Sequence, residues 1–193
     1  MMIRFSIDDS NVVEWNVSID SSDRLISIPN VISGLTVLGN SCNDLIELNL
    51  NRFDNMKRVE IGSNSLKNVL ELNMKNMSRL ESIEVGMKSL IECSSFSSMG
   101  DMNLNRVSIG DDSFGNGSVF ELDEECGIEE VEIGKDCFKG KMEKEDSLGF
   151  VMNKLNDLKR IGIGSGSFRH FNRFELSGEL KRLELMIRVS KTE

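Results

Sequence analysis

Catalysis at neutral pH needs titratable or nucleophilic side chains that converge, and this chain has few to offer. It contains one histidine, His170, and no tyrosine. Imidazole is the side chain whose charge changes most readily near pH 7, so a single copy leaves little room for a base and its partner. Four cysteines come next: Cys42, Cys93, Cys126 and Cys137. None stands in a C-x-x-C pair or in the spacing of a zinc site, and free, buried thiols are predicted instead. The segment Ile161-Gly-Ile-Gly-Ser-Gly-Ser-Phe168 has the glycine density of a dinucleotide loop. It lacks the third glycine at the required distance, and no strand–helix–strand pattern surrounds it. The acidic runs Asp111-Asp112, Asp123 to Glu125 and Glu129 to Glu132 lack the spaced oxygens and the turn glycine of a calcium loop, so they read as solvated faces. Three N-x-S sequons, at Asn16, Asn76 and Asn116, are within what an Asn- and Ser-rich chain produces by chance. These residues predict no catalysis, no cofactor and no metal.

Composition narrows the function further. The 193 residues carry a net charge of −9, with 39% hydrophobic and 28% charged side chains. Such proportions belong to a folded, water-soluble protein. The acidic balance argues against nucleic acid, whose phosphates require an excess of Lys and Arg, and against an anionic membrane surface. No apolar run approaches the roughly 18 residues that span a bilayer. The start Met1-Met-Ile-Arg-Phe-Ser-Ile lacks the basic region and apolar core of a secretory signal, so the cytoplasm is the expected compartment.

Stepping along the chain, one pattern dominates. Leu104-Asn-Arg-Val-Ser-Ile-Gly-Asp-Asp-Ser-Phe114 recurs 24 residues earlier from Leu80, again from Met56 and from Ile32, and 24 residues later from Ile128. A sixth copy starts at Leu158, and a partial one, Leu180 to Leu185, closes the series. Numbered from the first apolar residue, positions 1, 4, 6 and 11 are apolar almost throughout. Position 7 is Gly in five of six full copies, and position 10 is Ser except at Cys137. Position 9 is Asn or Asp except at Lys88 and Gly166. A second apolar pair stands at 17 and 19, from Leu48/Leu50 to Phe174/Leu176. The fifth unit holds six extra residues within Lys139–Gly149, read as an exposed loop.

The spacing carries its own physics. Positions 4 and 6 are two apart, so a strand points both inward and turns 3 and 5 outward. Gly at 7 supplies either an unusual backbone angle or a close approach to the neighbouring unit. Asn or Asp at 9 is expected to hydrogen-bond the backbone of the turn. Position 11 returns to the core, and the pair at 17 and 19 predicts a second short strand. No unit can bury its apolar set alone; rungs stacked about 4.8 Å apart can, through parallel strand pairing. Residues 1–31 precede this register and are predicted to cap the stack. They hold one strand around Val13–Ile19, a second at Leu25–Ile28, and Trp15 as a lid over the first rung. Residues 32–193 form the solenoid, with full repeats from 32, 56, 80, 104, 128 and 158 and a partial one from 180, in a single domain.

The six full copies resemble the leucine-rich repeat family. The segment L-x-x-L-x-L-x-x-N-x-L aligns with each, and the I-G-x-x-S-F ending is similar to repeats of that family in unicellular eukaryotes. The resemblance implies a mainly β solenoid, with short or no helices on the rear, and a non-enzymatic scaffold that binds another protein. The strand face should do the binding. Its column 3 holds Arg58, Ser82, Arg106, Glu130, Arg160 and Arg182, and its column 5 Glu60, Glu84, Ser108 and Glu132. Those charges either recognise a partner of mixed sign or neutralise one another on a wet face, and neither column holds the aromatic anchors of an interface hot spot. The expected partner is a protein, not nucleic acid or membrane, and the chain is expected to be a monomer or to self-associate weakly. The alternative is a structural or self-assembling repeat unit, or a piece of a longer repeat protein, joined through its carboxy-terminal edge.

Overall fold

A computed structural model describes residues 1–7, 13–74, 77–98, 103–122, 127–140, 148–179 and 183–187. Each repeat supplies a front strand from positions 3 to 6. These are β3 (Gly34–Val37), β5 (Arg58–Ile61), β7 (Ser82–Val85), β9 (Arg106–Ile109), β11 (Glu130–Ile133) and β13 (Arg160–Ile163). Positions 16 to 19 supply rear strands: β4 (Glu47–Asn49), β6 (Glu71–Asn73), β8 (Ser95–Ser98), β10 (Val119–Leu122), β12 (Gly149–Met152) and β14 (Arg173–Leu176). The chain is a parallel β-solenoid of about six turns. Front strands pair column on column, so that Val59, Ile83, Val107, Val131 and Ile161 are successive register partners.

Two strands and a helix precede the first repeat. Residues Val13–Ile19 form β2, which pairs parallel with β3 and sets Asn16 beside Gly34. Met2–Ile7 form β1, antiparallel to β2 and outermost in the front sheet. The strand expected at Leu25–Ile28 is instead the short helix α1 (Ser22–Ile26) and the turn after it. Leu25 and Ile28 are both buried while Ile26 is exposed, which is helical spacing and not strand alternation. The carbonyls at its end are met by Arg52, whose guanidinium donates to Leu25 O at 2.6 Å and Ile28 O at 3.1 Å. Trp15 packs half-buried against the core beside Val17.

The interior is a set of ladders. Phe114, Phe138 and Phe168 of position 11 stack with ring centroids 4.8 and 5.2 Å apart. Phe96, Phe120 and Phe150 of position 17 do the same at 5.3 and 5.2 Å, and the two columns meet edge to face. Offset stacks and edge contacts are the arrangements that ring quadrupoles favour. The fifth unit's extra residues leave this register intact, since Phe120 still pairs with Phe150; residues 141–147 of the expected loop lie outside those described.

Position 9 acts differently from its sequence reading. Position 9 shares a backbone conformation: Asn40, Asn64, Lys88, Asp112, Asp136 and Gly166 all have φ between 54° and 78°. Asn, Asp and Gly tolerate this left-handed region better than other residues, which accounts for Gly166 and marks Lys88 as strained. The backbone-satisfying task belongs to the buried serines of position 10. Ser65 Oγ donates to Leu38 O at 2.7 Å on the rung before and accepts from the Ser41 N–H at 3.2 Å. Ser89 and Ser113 repeat both bonds. Cys137 keeps the donor with its thiol, 3.3 Å from Gly110 O. The position-7 glycines have no positive φ; they serve close approach. A Cβ on Gly86 would lie 2.5 Å from Ser63 N, and one on Gly134 would lie 2.5 Å from Asp111 N.

The final strand corrects the last repeat. β15 (Glu184–Ile187) sets Glu184 against Arg160 and Leu185 against Ile161. The closing unit therefore starts at residue 182, keeping the 24-residue turn, and not at 180. One turn of backbone fixes the distance between rungs, and the Leu180–Leu185 similarity is two residues out of phase with it.

Candidate functional site

The outward face of the front sheet is where the columns of charge converge. Alternation within each four-residue strand turns positions 4 and 6 into the core and leaves 3 and 5 outside. Five of the predicted residues join in one network across β7 to β13. Arg106 lies 3.8 Å from Glu84 and 3.4 Å from Glu130. Arg160 lies 2.8 Å from Glu130 and 2.9 Å from Glu132. Two arginines thus alternate with carboxylates over four rungs, and β11 supplies both Glu130 and Glu132 to Arg160. Ser82 and Ser108 stand half-buried between the charges, and Glu60, exposed, accepts from Thr36 Oγ1 at 3.1 Å.

Arg58 belongs to a separate cluster that the sequence reading missed. Its guanidinium is 2.8 Å from Glu14, and Lys57 reaches the other oxygen of the same carboxylate at 2.9 Å. These two donors hold the Glu14 carboxyl below its ordinary range, against the opposing effect of burial. Arg58 also donates to Asn16 Oδ1 at 3.1 Å. The signal was present in Val13-Glu14-Trp15-Asn16: once β2 counts as a rung, Glu14 and Asn16 share the outward side. Arg182 lies outside the described residues, and its expected place in column 3 is taken by Glu184.

Two glycines on this face are covered by polar side chains. A Cβ on Gly162 would stand 2.1 Å from Glu132 Oε2, and one on Gly34 would stand 2.0 Å from Asn16 Oδ1. With Gly164 pressed on the Gly134 carbonyl and Gly166 in a left-handed turn, every glycine of the 161–168 segment has a packing reason. A phosphate cradle is not needed to explain them.

The described cysteines are shielded. Cys42, Cys93 and Cys137 are free and buried, and Cys126 lies outside the described residues. Burial pushes the Cys93 thiol up to about 11 and the Cys137 thiol to about 12, which suppresses the thiolate a nucleophile requires. His170 is exposed on a turn. Among the described residues no group of three or more His, Cys, Asp or Glu side chains is placed to hold a metal ion. No helix among them is long and apolar enough to cross a membrane. At the rear, β4–β6 and β8–β10–β12–β14 form separate sheets. A hollow of about 370 Å³ between them is lined by Leu72, Met74, Ser95 and Ser97. Comparison of the chain with models of known families, with curated proteins and with solved structures finds no match.

Proposed function

We propose that this protein is a non-enzymatic interaction scaffold of the leucine-rich-repeat kind, and that it recognises another protein through the front sheet. The observation that supports this most is the row Glu84–Arg106–Glu130–Arg160–Glu132. It sets alternating charge on rigid strands, at a spacing fixed by the rungs, over the outward face of β7 to β13. Internal pairing does not disqualify such a row. Exposed pairs contribute only about 0–1 kcal/mol each, so a partner with complementary alternating charge exchanges them at small cost and gains register from the exchange. Rigid strands hold the charges in place before binding, which spares the ordering entropy that a loop would lose.

The test is affinity capture with the whole chain, followed by charge reversal. One protein recovered in stoichiometric amount by the parent, and lost with Arg106→Glu/Arg160→Glu at unchanged melting temperature, would support the strand face. Retention of that protein by the double variant would remove the face as its site.

A further inference from the structure

Given the front sheet as the recognition face proposed above, we propose that its partner is a second copy of this chain. The two copies meet face to face across β7 to β13, about a two-fold axis that runs along the strands between β9 and β11. Taken strand by strand, with the residue that precedes each strand, the face alternates in sign. β7 presents Glu81 and Glu84, and β9 presents Arg106 as its charge. β11 presents Glu129, Glu130 and Glu132, and β13 presents Lys159 and Arg160. Acid, base, acid and base thus follow one another at the rung spacing of about 4.8 Å. Arg106, Glu84, Glu129 and Lys159 keep about half or more of their side-chain surface exposed, so the face is open to a partner.

Alternation makes the face self-complementary, but about one kind of axis only. A two-fold along the strands and between two rungs reverses the order of rungs and leaves each column facing itself. β9 then meets β11 of the other copy, and β7 meets β13, base against acid in both. Column by column, Arg106 faces Glu130, while Asn105 and Ser108 bring an amide and a hydroxyl to Glu129 and Glu132. Glu81 faces Lys159, and Arg160 faces the Ser82 hydroxyl beside Glu84. Centring the axis on β9 would set β7 against β11, acid on acid. An axis along the stack would set every strand against itself, and like-charge repulsion disfavours both. A second copy also repeats the step between charges. An α-helix laid along the stack returns to one face after about 4.5 and about 6 Å in turn, and an extended chain after about 6.7 Å; both drift from the rungs. The pairs within each copy are exposed and contribute little, so sharing them across the interface costs little. A patch four rungs tall and one short strand wide falls below the area of stable complexes, so the dimer forms at high concentration only.

Sedimentation velocity of the 193-residue chain, from about 10 μM to about 1 mM in about 0.15 M salt, reads the result. At that ionic strength the screening length is about 8 Å, which weakens repulsion between two chains of net charge −9 more than it weakens charges in contact. The expected outcome is a reversible shift from monomer to dimer. Arg106→Glu alone and Glu130→Arg alone should each abolish it, because each sets like charges against one another across the axis. Both changes fall on the surface and should leave the melting temperature within a few degrees. An equimolar mixture of the two single variants should recover the dimer, because the exchanged charges then meet with opposite sign. A chain that stays monomeric throughout, an open-ended oligomer series, a dimer indifferent to either reversal, or single variants that fail to recover it on mixing would each overturn the second copy. A foreign protein captured by a monomeric chain, and lost with Arg106→Glu/Arg160→Glu, would overturn the second copy and keep the front sheet as a recognition face. Retention of that protein by the double variant leaves the mixing result as it is, so the two readings fail separately.

Discussion

The two sides of the same front strands obey different physics. Inside, Val107 and Ile109 of β9 are buried in columns that continue through every neighbouring rung. Outside, Arg106 stands about half exposed, and its bonds to Glu84 and Glu130 are longer than those of a tight ion pair. Burial is cumulative and weakly directional, so the inner columns hold the coil together whatever the details of each contact. Exposed charge is screened and contributes little to folding, so the outer columns are free to vary and to recognise. The inner columns thereby hold the coil, and the outer columns form the face proposed above for recognition.

That division breaks or sharpens under substitution. Phe114→Ala removes a ring stacked on Phe138 and edge-on to Phe96, and should cost about 3–5 kcal/mol in urea unfolding. Gly86→Ala drives a methyl group onto Ser63 N and the Gly62 carbonyl carbon. Both are backbone with nowhere to move, and a loss near the upper end of about 1–3 kcal/mol is expected. Ser113→Ala leaves the Ser89 N–H and the Gly86 carbonyl without their hydroxyl partner. It should cost about 1–3 kcal/mol, distinguishing a serine chosen for its ladder bonds from one chosen for size.

The outer side should respond far less. Glu14→Gln weakens the bonds to Lys57 and Arg58, for a loss of about 1 kcal/mol at neutral pH. Its dependence on acid has a definite sign. The folded-state pKa lies below the ordinary 4.5, so the contribution is full above that value and is lost as pH falls through the folded one. Melting temperatures of parent and variant should converge as acid is added. Smallest of all, Arg106→Ala should stay within about 0.5 kcal/mol. A loss there as large as at Phe114 would mean that the charged row, and not the core, carries the coil.

Much of this was readable in the chain, and the failures are instructive. Position 11 points inward at Leu66, Phe114 and Phe168 as the repeat required, because a 24-residue period leaves one way to align the apolar columns. The candidate site was readable as a set of outward residues, including the five that form the row. Its partition was not: Arg58 left the row for Glu14, a residue 44 positions away and outside the repeat. The turn bonds expected of position 9 are made by the serines of position 10, and the left-handed backbone offered for position 7 falls at position 9; residue type allows these roles at more than one turn position. Leu25–Ile28 changed class because Arg52, from another rung, takes up the helix-end carbonyls.

Residue order alone determined the period, the inward and outward columns and the mainly β coil, because each is a one-dimensional regularity that spacing expresses directly. Only the folded chain decided which charges pair, which turn residues take the left-handed backbone and in what register β15 joins β13. Those outcomes depend on residues a full turn or more apart meeting at a few ångströms, and that distance is set by stacking and not by sequence separation.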